Sequence, residues 1–372
     1  MKLFKDFFKL IFAKWEIKKP LQKKYLIYDQ YSEKIFSLVL KKEEYLVFFT
    51  RYEVINFYIL FFTFFKNGII NFKHNYKINY IKVVNPRVVL TAIDNNISFY
   101  TLKQSFDRPK YICIQMSGRR KDFFDDCKNF SKKNKQQLII DYLFLLGENE
   151  IKRYSEVIEG KIYCLGSFRN NFYYSKLEQK KKKNISKITF LSTYFLSKNE
   201  QNFKYRFEPI IFKYLNRYCL KNNIKLEICT KNSKSKEQVY RHHFDKGKWV
   251  YLPFQSIQKN YETLNESEMV VFTDSTMGIE AIIKGIKGVA FPTDSFPLKG
   301  YPIDYPDNGP FWFCNFKDTN AEKNMEKNII NTLEKVKNYS DQEWSDIIKK
   351  YVSQMITLDP NNKQFLDIIK NI

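Results

Sequence analysis

Short runs of Val, Ile, Leu and Tyr recur along this chain, separated by segments patterned for helices, and that alternation restricts the fold more than any other feature. In the first half the strand-like runs lie at 25–28, 45–49, 87–93, 111–115, 138–146 and 161–165. In the second half they lie at 188–191, 226–229, 249–252, 270–272 and 289–291. Helical patterns fill gaps between them at 32–40, 97–106 and 148–158, and again where Phe207, Ile210, Ile211, Tyr214, Leu215 and Tyr218 share a face. Three more helical patterns, near 321–337, 341–355 and 363–371, finish the chain. Strands separated by helices form parallel βαβ units, so the expected class is α/β with doubly wound, Rossmann-like sheets.

A chain of 372 residues exceeds a single ordinary core, so two such domains are expected. The apolar pattern breaks at 175–187, where four consecutive lysines occupy 180–183. That stretch is the natural linker. The expected layout is an amphipathic helix in 1–20, an N-terminal domain in 21–174, the linker in 175–187, a C-terminal domain in 188–355 and a terminal helix in 356–372. In parallel sheets ligands bind beyond the carboxyl ends of the strands, so the two domains should face each other across a cleft.

Lys and Arg number 63 against 40 Asp and Glu, a net charge of +23. Such an excess suits nucleic acid, an anionic membrane surface or a phosphorylated substrate. The aromatics fall mostly at core spacing, so nucleic acid is not the expected partner. Within residues 2–19, Leu3, Phe4, Phe7, Phe8, Ile11, Phe12 and Trp15 share one helical face, with lysines on the rest and Pro20 as the stop. That is the pattern of a helix lying on an anionic bilayer, or of a helix docked on its own domain. The run 54–65 is too short to span a membrane and reads as a buried helix, with shallow membrane contact as the alternative. Six scattered cysteines, without a CxxC, read as buried thiols. Three histidines with no ligand spacing make a metal site unexpected. With no secretory pattern at its start, the chain is expected in the cytoplasm, peripheral on the inner face of the membrane.

The polar residues gather where strands end. Val270–Phe272 runs into Thr273, Asp274, Ser275, Thr276 and Gly278 at the start of a helix, a place suited to an anionic phosphate. Glu280 lies one turn beyond Thr276 and is expected to face the same ligand. In the first half, Asp29, Asp94-Asn95-Asn96, Gln115 to Arg120 with Ser117, Gly118 and Arg119, and Gly166 to Asn171 with Ser167 all follow strands. Parallel strands bring such ends to one rim. Asp94 or Asp29 is the candidate general base, and Arg119 the candidate clamp for an acid or phosphate. The competing reading is that Asp and Asn there are turn formers and helix caps. His242 and His243 read as an exposed helix face.

The set of stretches carries a resemblance. Residues 270–281 resemble the donor-site motif of the UDP-N-acetylglucosamine 2-epimerase superfamily, which has the GT-B fold. Asp94-Asn95-Asn96, Gln115 to Arg119, Leu165-Gly166-Ser167 with Asn171, and Asp274 to Glu280 resemble, in order, bacterial surface-carbohydrate biosynthesis proteins of lipopolysaccharide or capsule assembly. The resemblance spans residues 24–313. It implies a GT-B-like arrangement with an acceptor domain first and a nucleotide-sugar donor domain second. It further implies a glycosyltransferase that needs no metal or other cofactor, because a helix N-terminus and basic side chains stabilise the leaving phosphate. By that analogy Ser275 and Thr276 touch phosphate, Glu280 touches ribose or sugar, and Gln115 to Arg119 face the donor. Met277 and Met116 depart from the usual pattern, and the acidic and His residues of epimerisation do not align.

The expected activity is therefore transfer of a sugar from a nucleotide donor to a lipid-linked or polysaccharide acceptor. A nucleotide-sugar 2-epimerase, acting without an acceptor, is the alternative enzyme. A non-catalytic carbohydrate- or nucleic-acid-binding protein on the same scaffold is the alternative from another class.

Overall fold

The computed structural model describes residues 13–51, 53–174, 185–193, 203–244, 247–273, 275–292, 309–313 and 321–372. The first half runs β1 (Lys14–Glu16), β2 (Tyr25–Tyr28), α1 (Gln30–Phe36), β3 (Tyr45–Phe48), β4 (Val54–Asn56), α2 (Phe57–Asn67), α3 (Phe72–Val84) and β5 (Val88–Thr91). It continues through β6 (Lys110–Ile114), α4 (Lys121–Asn134), β7 (Ile139–Leu145), α5 (Ile151–Ser155), β8 (Glu159–Cys164) and α6 (Phe168–Tyr174). Six of these strands pair, all parallel, in the order β3-β2-β5-β6-β7-β8. Successive side chains of a strand point to opposite faces. Leu26, Tyr28, Val89 and Cys113 accordingly join one core, and Tyr25, Ile27, Val88 and Ile112 the other. A parallel sheet covered on both faces explains why its strands read as unbroken apolar runs.

The second half holds β9 (Lys187–Leu191), α7 (Phe203–Lys221), β10 (Lys225–Cys229), α8 (Glu237–His243), β11 (Val250–Leu252), α9 (Ile257–Asn265), β12 (Met269–Phe272), α10 (Thr276–Ile283) and β13 (Lys287–Ala290). Helices α11 (Ala321–Asn338), α12 (Asp341–Ile347) and α13 (Lys363–Lys370) follow. Its strands pair in parallel in the order β11-β10-β9-β12-β13. The fold is thus α/β with two doubly wound sheets, as the alternation requires.

The chain does not end on the second sheet. Helix α13 returns to the first half, where the Phe365 ring packs on Phe36, Phe144 and Phe168 at centroid distances of 5.9, 5.4 and 5.2 Å. The return path is fixed by polar bonds. Thr357 N donates to Leu146 O at 2.7 Å, and Asn171 Nδ2 to Asn362 Oδ1 at 3.0 Å. Gly166, at φ +82°, must be glycine there, because a Cβ would stand 1.8 Å from Thr357 O.

Two expectations change. Residues 14–16 of the proposed 2–19 helix are strand β1, paired in parallel with Val54–Asn56, and residues 1–12 lie outside the described part. The cause is the partner strand, which satisfies this backbone; Lys14 N donates to Glu53 O at 3.0 Å. The run 54–65 is a strand followed by α2, and most of its aromatic side chains are exposed instead of buried. Of the expected linker, 175–184 lies outside the described residues, while Lys187 opens β9. The pattern at 97–106 resolves into a 3₁₀ turn, Ile97–Phe99, and the one-turn helix Leu102–Ser105.

Candidate functional site

Each sheet has a point where the strand order reverses, and such a point leaves a crevice at the carboxyl ends of two neighbouring strands. In the first sheet it lies between β2 and β5. Residues after those strands, Asp29 with Ile93, Asn95 and Asn96, line an open cavity of about 410 Å³, completed by Thr50, Arg51, Lys77 and Ser98. Asp29 holds an unusual backbone, φ 90° and ψ 139°. A non-glycine residue in that region is strained and is kept there by its surroundings. Its carboxylate accepts from Tyr31 N at 2.8 Å, Thr50 Oγ1 at 2.6 Å and Arg51 Nε at 3.1 Å. Asp29 thus caps α1 and also presents a carboxylate at the wall of a basic cavity, so the two readings of it coexist.

Asp94 is placed differently. It is fully buried, and its carboxylate is bound by the Arg119 guanidinium through both oxygens, by Tyr154 Oη at 2.7 Å and by Met116 N at 3.4 Å. Burial works against the charge on Arg119, but the bond to Asp94 outweighs it and holds the guanidinium above its ordinary range. Burial, aided by the Asp94 charge, pushes the Tyr154 phenol well up as well. Asp94 does not line the cavity that Asp29 borders; it braces the β5 and β6 ends and is not placed to take a substrate proton. The same geometry occupies Arg119, the expected clamp.

Gln115, at the end of β6, is also buried and doubly engaged. Its Oε1 accepts from Leu146 N at 2.9 Å and its Nε2 donates to Ser117 O at 3.1 Å. Ser117 and Gly118 are half-buried on the loop it anchors. A third carboxylate, Glu150, carries no local signal in the sequence. It is fully buried, neither oxygen has a bond, and the nearest cation is Arg153 Nη1 at 3.8 Å. Burial pushes its pKa up to about 8, with Arg153 opposing.

In the second sheet the order reverses at β9 and β12. Here a buried carboxylate, Glu208 of α7, ties the two strand ends together. It accepts from Ser192 Oγ at 2.7 Å, Thr193 N at 2.8 Å and Thr273 Oγ1 at 3.1 Å. Burial raises its pKa and these bonds oppose the rise. The sequence carried one signal for it: Glu208 shares a helical face with Ile211, Phe212 and Leu215, where an apolar residue is the rule.

Ser275 is the N-cap position of α10, is buried, and makes no side-chain cap bond, and Thr276 beside it is half-buried. Asp274 lies outside the described residues. Gly278 serves packing, because a Cβ there would meet the Phe272 ring at 2.3 Å. Glu280 is buried and accepts from Tyr261 Oη at 2.7 Å. Ser167 of the first half is buried and accepts from Asn170 N at 3.4 Å, while Tyr173 of the first half stacks on the Tyr261 ring at 5.0 Å. Tyr173 and Glu280 therefore meet at one tyrosine, which joins the halves. Arg169, next to Ser167, reaches Tyr31 Oη at 3.3 Å, and its buried Nε has no partner. His242 and His243 sit on the outer side of α8, exposed. Among the described residues no group of three or more His, Cys, Asp or Glu is placed to hold a metal ion, and the five described cysteines are free.

The fold has solved relatives. The UDP-GlcNAc 2-epimerase from Neisseria meningitidis bound to UDP-GlcNAc superposes with a TM-score of 0.58 at 9% identity, over 95% of this chain and 100% of that one. The UDP-GlcNAc 2-epimerase from Methanocaldococcus jannaschii, in complex with UDP-GlcNAc and UDP, gives 0.56 at 11% identity, over 95% and 100%. The wall teichoic acid polymerase TagF gives 0.52 at 11% identity, over 94% and 89%. At such identities the likeness establishes the GT-B-like, epimerase-like fold. No curated protein matches the sequence. Residues 112–372 match the model of a family described as "putative O-antigen biosynthesis protein".

Proposed function

We infer the function from one premise: the chain belongs to the family of O-antigen biosynthesis proteins, whose model spans most of its length. We propose that it is a glycosyltransferase that moves a sugar from a nucleotide-sugar donor to a lipid-linked or polysaccharide acceptor in surface-polysaccharide assembly. The observation that carries the reading is the pair of reversal points, one in each sheet, the first lined by a cavity, joined by the Tyr173–Tyr261–Glu280 contact. Two separate reversal points suit two substrates.

In this reading the donor lies at the β9 and β12 ends, where the first turn of α10 with Ser275 and Thr276 receives its phosphate. Arg169, with its unpaired Nε, supplies the nearby cation. The acceptor hydroxyl enters the Asp29 cavity. Its oxygen attacks the anomeric carbon, the bond from that carbon to the phosphate oxygen breaks, and Asp29 takes the proton. Helix N–H groups and arginine stabilise the leaving nucleotide, so the reaction needs no metal or cofactor.

The test is a thermal-shift screen of the full chain against UDP-, GDP- and CMP-sugars, followed by nucleotide release with and without acceptor. A donor that raises the melting temperature and releases nucleotide only with acceptor supports transfer. Interconversion of the donor without acceptor would instead mark a 2-epimerase, and the absence of any stabilising nucleotide sugar a non-catalytic scaffold.

A further inference from the structure

Helix α2 is built inside out. The side it turns toward the protein carries Ile59 and Thr63, and its contact with α3 is polar: Asn79 Nδ2 donates to Thr63 Oγ1 and to Asn67 Oδ1, each at 3.0 Å. The side it turns outward carries Phe57, Tyr58, Phe61, Phe62, Phe64 and Phe65, all exposed, Phe65 at 76%. The turn after it adds Ile69 and Ile70, exposed at 78% and 75%. Beyond the start of α2 the patch continues to Trp15, whose ring meets Phe57 at 6.2 Å, and to exposed Ile17. Soluble helices bury such residues, and a contiguous apolar face of this size marks a surface made for an apolar partner.

The charge around the patch identifies that partner. From Phe57 to Val84 the sequence has no acidic residue and four lysines, Lys66, Lys73, Lys77 and Lys82. Lys66 lies over the Phe62 ring at 5.2 Å, and exposed Lys14, Lys18 and Lys19 flank Trp15. Phenylalanines framed by an excess of lysines, with Glu16 the exposed carboxylate beside Trp15, complement the acyl boundary and the phosphates of an anionic bilayer. A protein partner would call for a mixed, hydrogen-bonding rim. Among the described residues no helix is long and apolar enough to cross a membrane, so the contact is one of surface insertion.

We propose that the outer face of α2, with Ile69, Ile70 and Trp15, docks the protein on an anionic lipid bilayer. The position gives the contact a use. Helix α3, which packs on α2, contributes Lys77 to the Asp29 cavity, so docking by α2 sets that cavity beside the bilayer. The inference builds on the reading of a lipid-linked acceptor, and the vesicles of the test carry no acceptor, so the docking surface and the transfer reaction fail separately.

The experiment is co-sedimentation of the full chain with vesicles of phosphatidylglycerol and phosphatidylcholine, and with vesicles of phosphatidylcholine alone. The variants are Phe61→Ser/Phe64→Ser/Phe65→Ser and Lys18→Glu/Lys66→Glu, each checked for an unchanged circular dichroism spectrum. The chain is expected to bind the anionic vesicles at least tenfold more tightly than the neutral ones. Each variant is expected to lose at least tenfold in that affinity while its donor-induced thermal shift stays. Equal binding of the triple-serine variant, or no binding of the unaltered chain, overturns the proposal. So does a triple-serine variant that changes only the oligomeric state, which would make the face a contact between two copies.

Discussion

The phenolic hydroxyl of Tyr261 donates to Glu280 Oε2 at 2.7 Å, and both groups are buried. The pair ties α9 to α10, and through the Tyr173 ring stacked on Tyr261 it also reaches the first half. Glu280 thus has a structural partner already in place, and a ligand would share it. Glu280→Ala leaves the Tyr261 hydroxyl buried with one partner fewer, which costs about 1–3 kcal/mol. The expected outcome is a lower melting temperature together with loss of the donor-induced thermal shift. Glu280→Gln, which keeps an acceptor, should recover most of the stability. Full donor response in the alanine variant would remove Glu280 from the donor site.

Asp94 and Arg119 give a sharper stability prediction. Removing one member of a buried ion pair strands the other charge, at about 3–5 kcal/mol. Arg119→Met should therefore unfold at markedly lower urea concentration. Asp94→Leu combined with Arg119→Met should be less damaging than the sum of the two single changes, because no charge is left behind. Strictly additive losses in a double-mutant cycle would show that the pair is not coupled.

The fold was legible because a parallel sheet writes itself into the sequence as β-branched runs. The runs at 25–28 and 188–191 correspond to β2 and β9 without ambiguity. Helices α3 and α4 are faint in the sequence for a physical reason. Helix α4 buries only Phe124 and Cys127 in fourteen residues, so its apolar stripe is thin. Strand β1 is masked in the sequence because its neighbours have helical spacing and its partner, β4, lies some forty residues away. Of the site, the strand-end positions were readable and the side-chain roles were not. Nothing local distinguishes Asp94, locked by Arg119, from Asp29, which borders a cavity. Glu150 and Tyr261 gave no sign at all, since each acquires its role from residues brought in by the fold.

Asp29 is expected to act in turnover more than in binding. Asp29→Asn keeps an acceptor for Tyr31 N and removes the base. It should lower kcat by about 10²–10⁴-fold, with little change in the donor-induced thermal shift. A kcat within threefold of the unaltered protein would exclude Asp29 as the base.

Glu150 makes stability depend on pH. Its carboxyl has an ordinary pKa of 4.5, and burial pushes it up to about 8 in the folded protein. Between those values the folded state holds a proton that the unfolded state has released. Stability contributed by this group is therefore present below about 4.5 and is lost as the pH rises toward 8. Glu150→Gln carries no titrating proton and should lack that slope. The two proteins should melt at similar temperatures near pH 5, and the glutamine variant should be the more stable by on the order of 1–3 kcal/mol near pH 8. Melting curves between those limits provide the check. Parallel pH profiles for the two proteins would mean that Glu150 is ionised in the fold, with the Arg153 guanidinium, 3.8 Å away, sufficient to hold its charge.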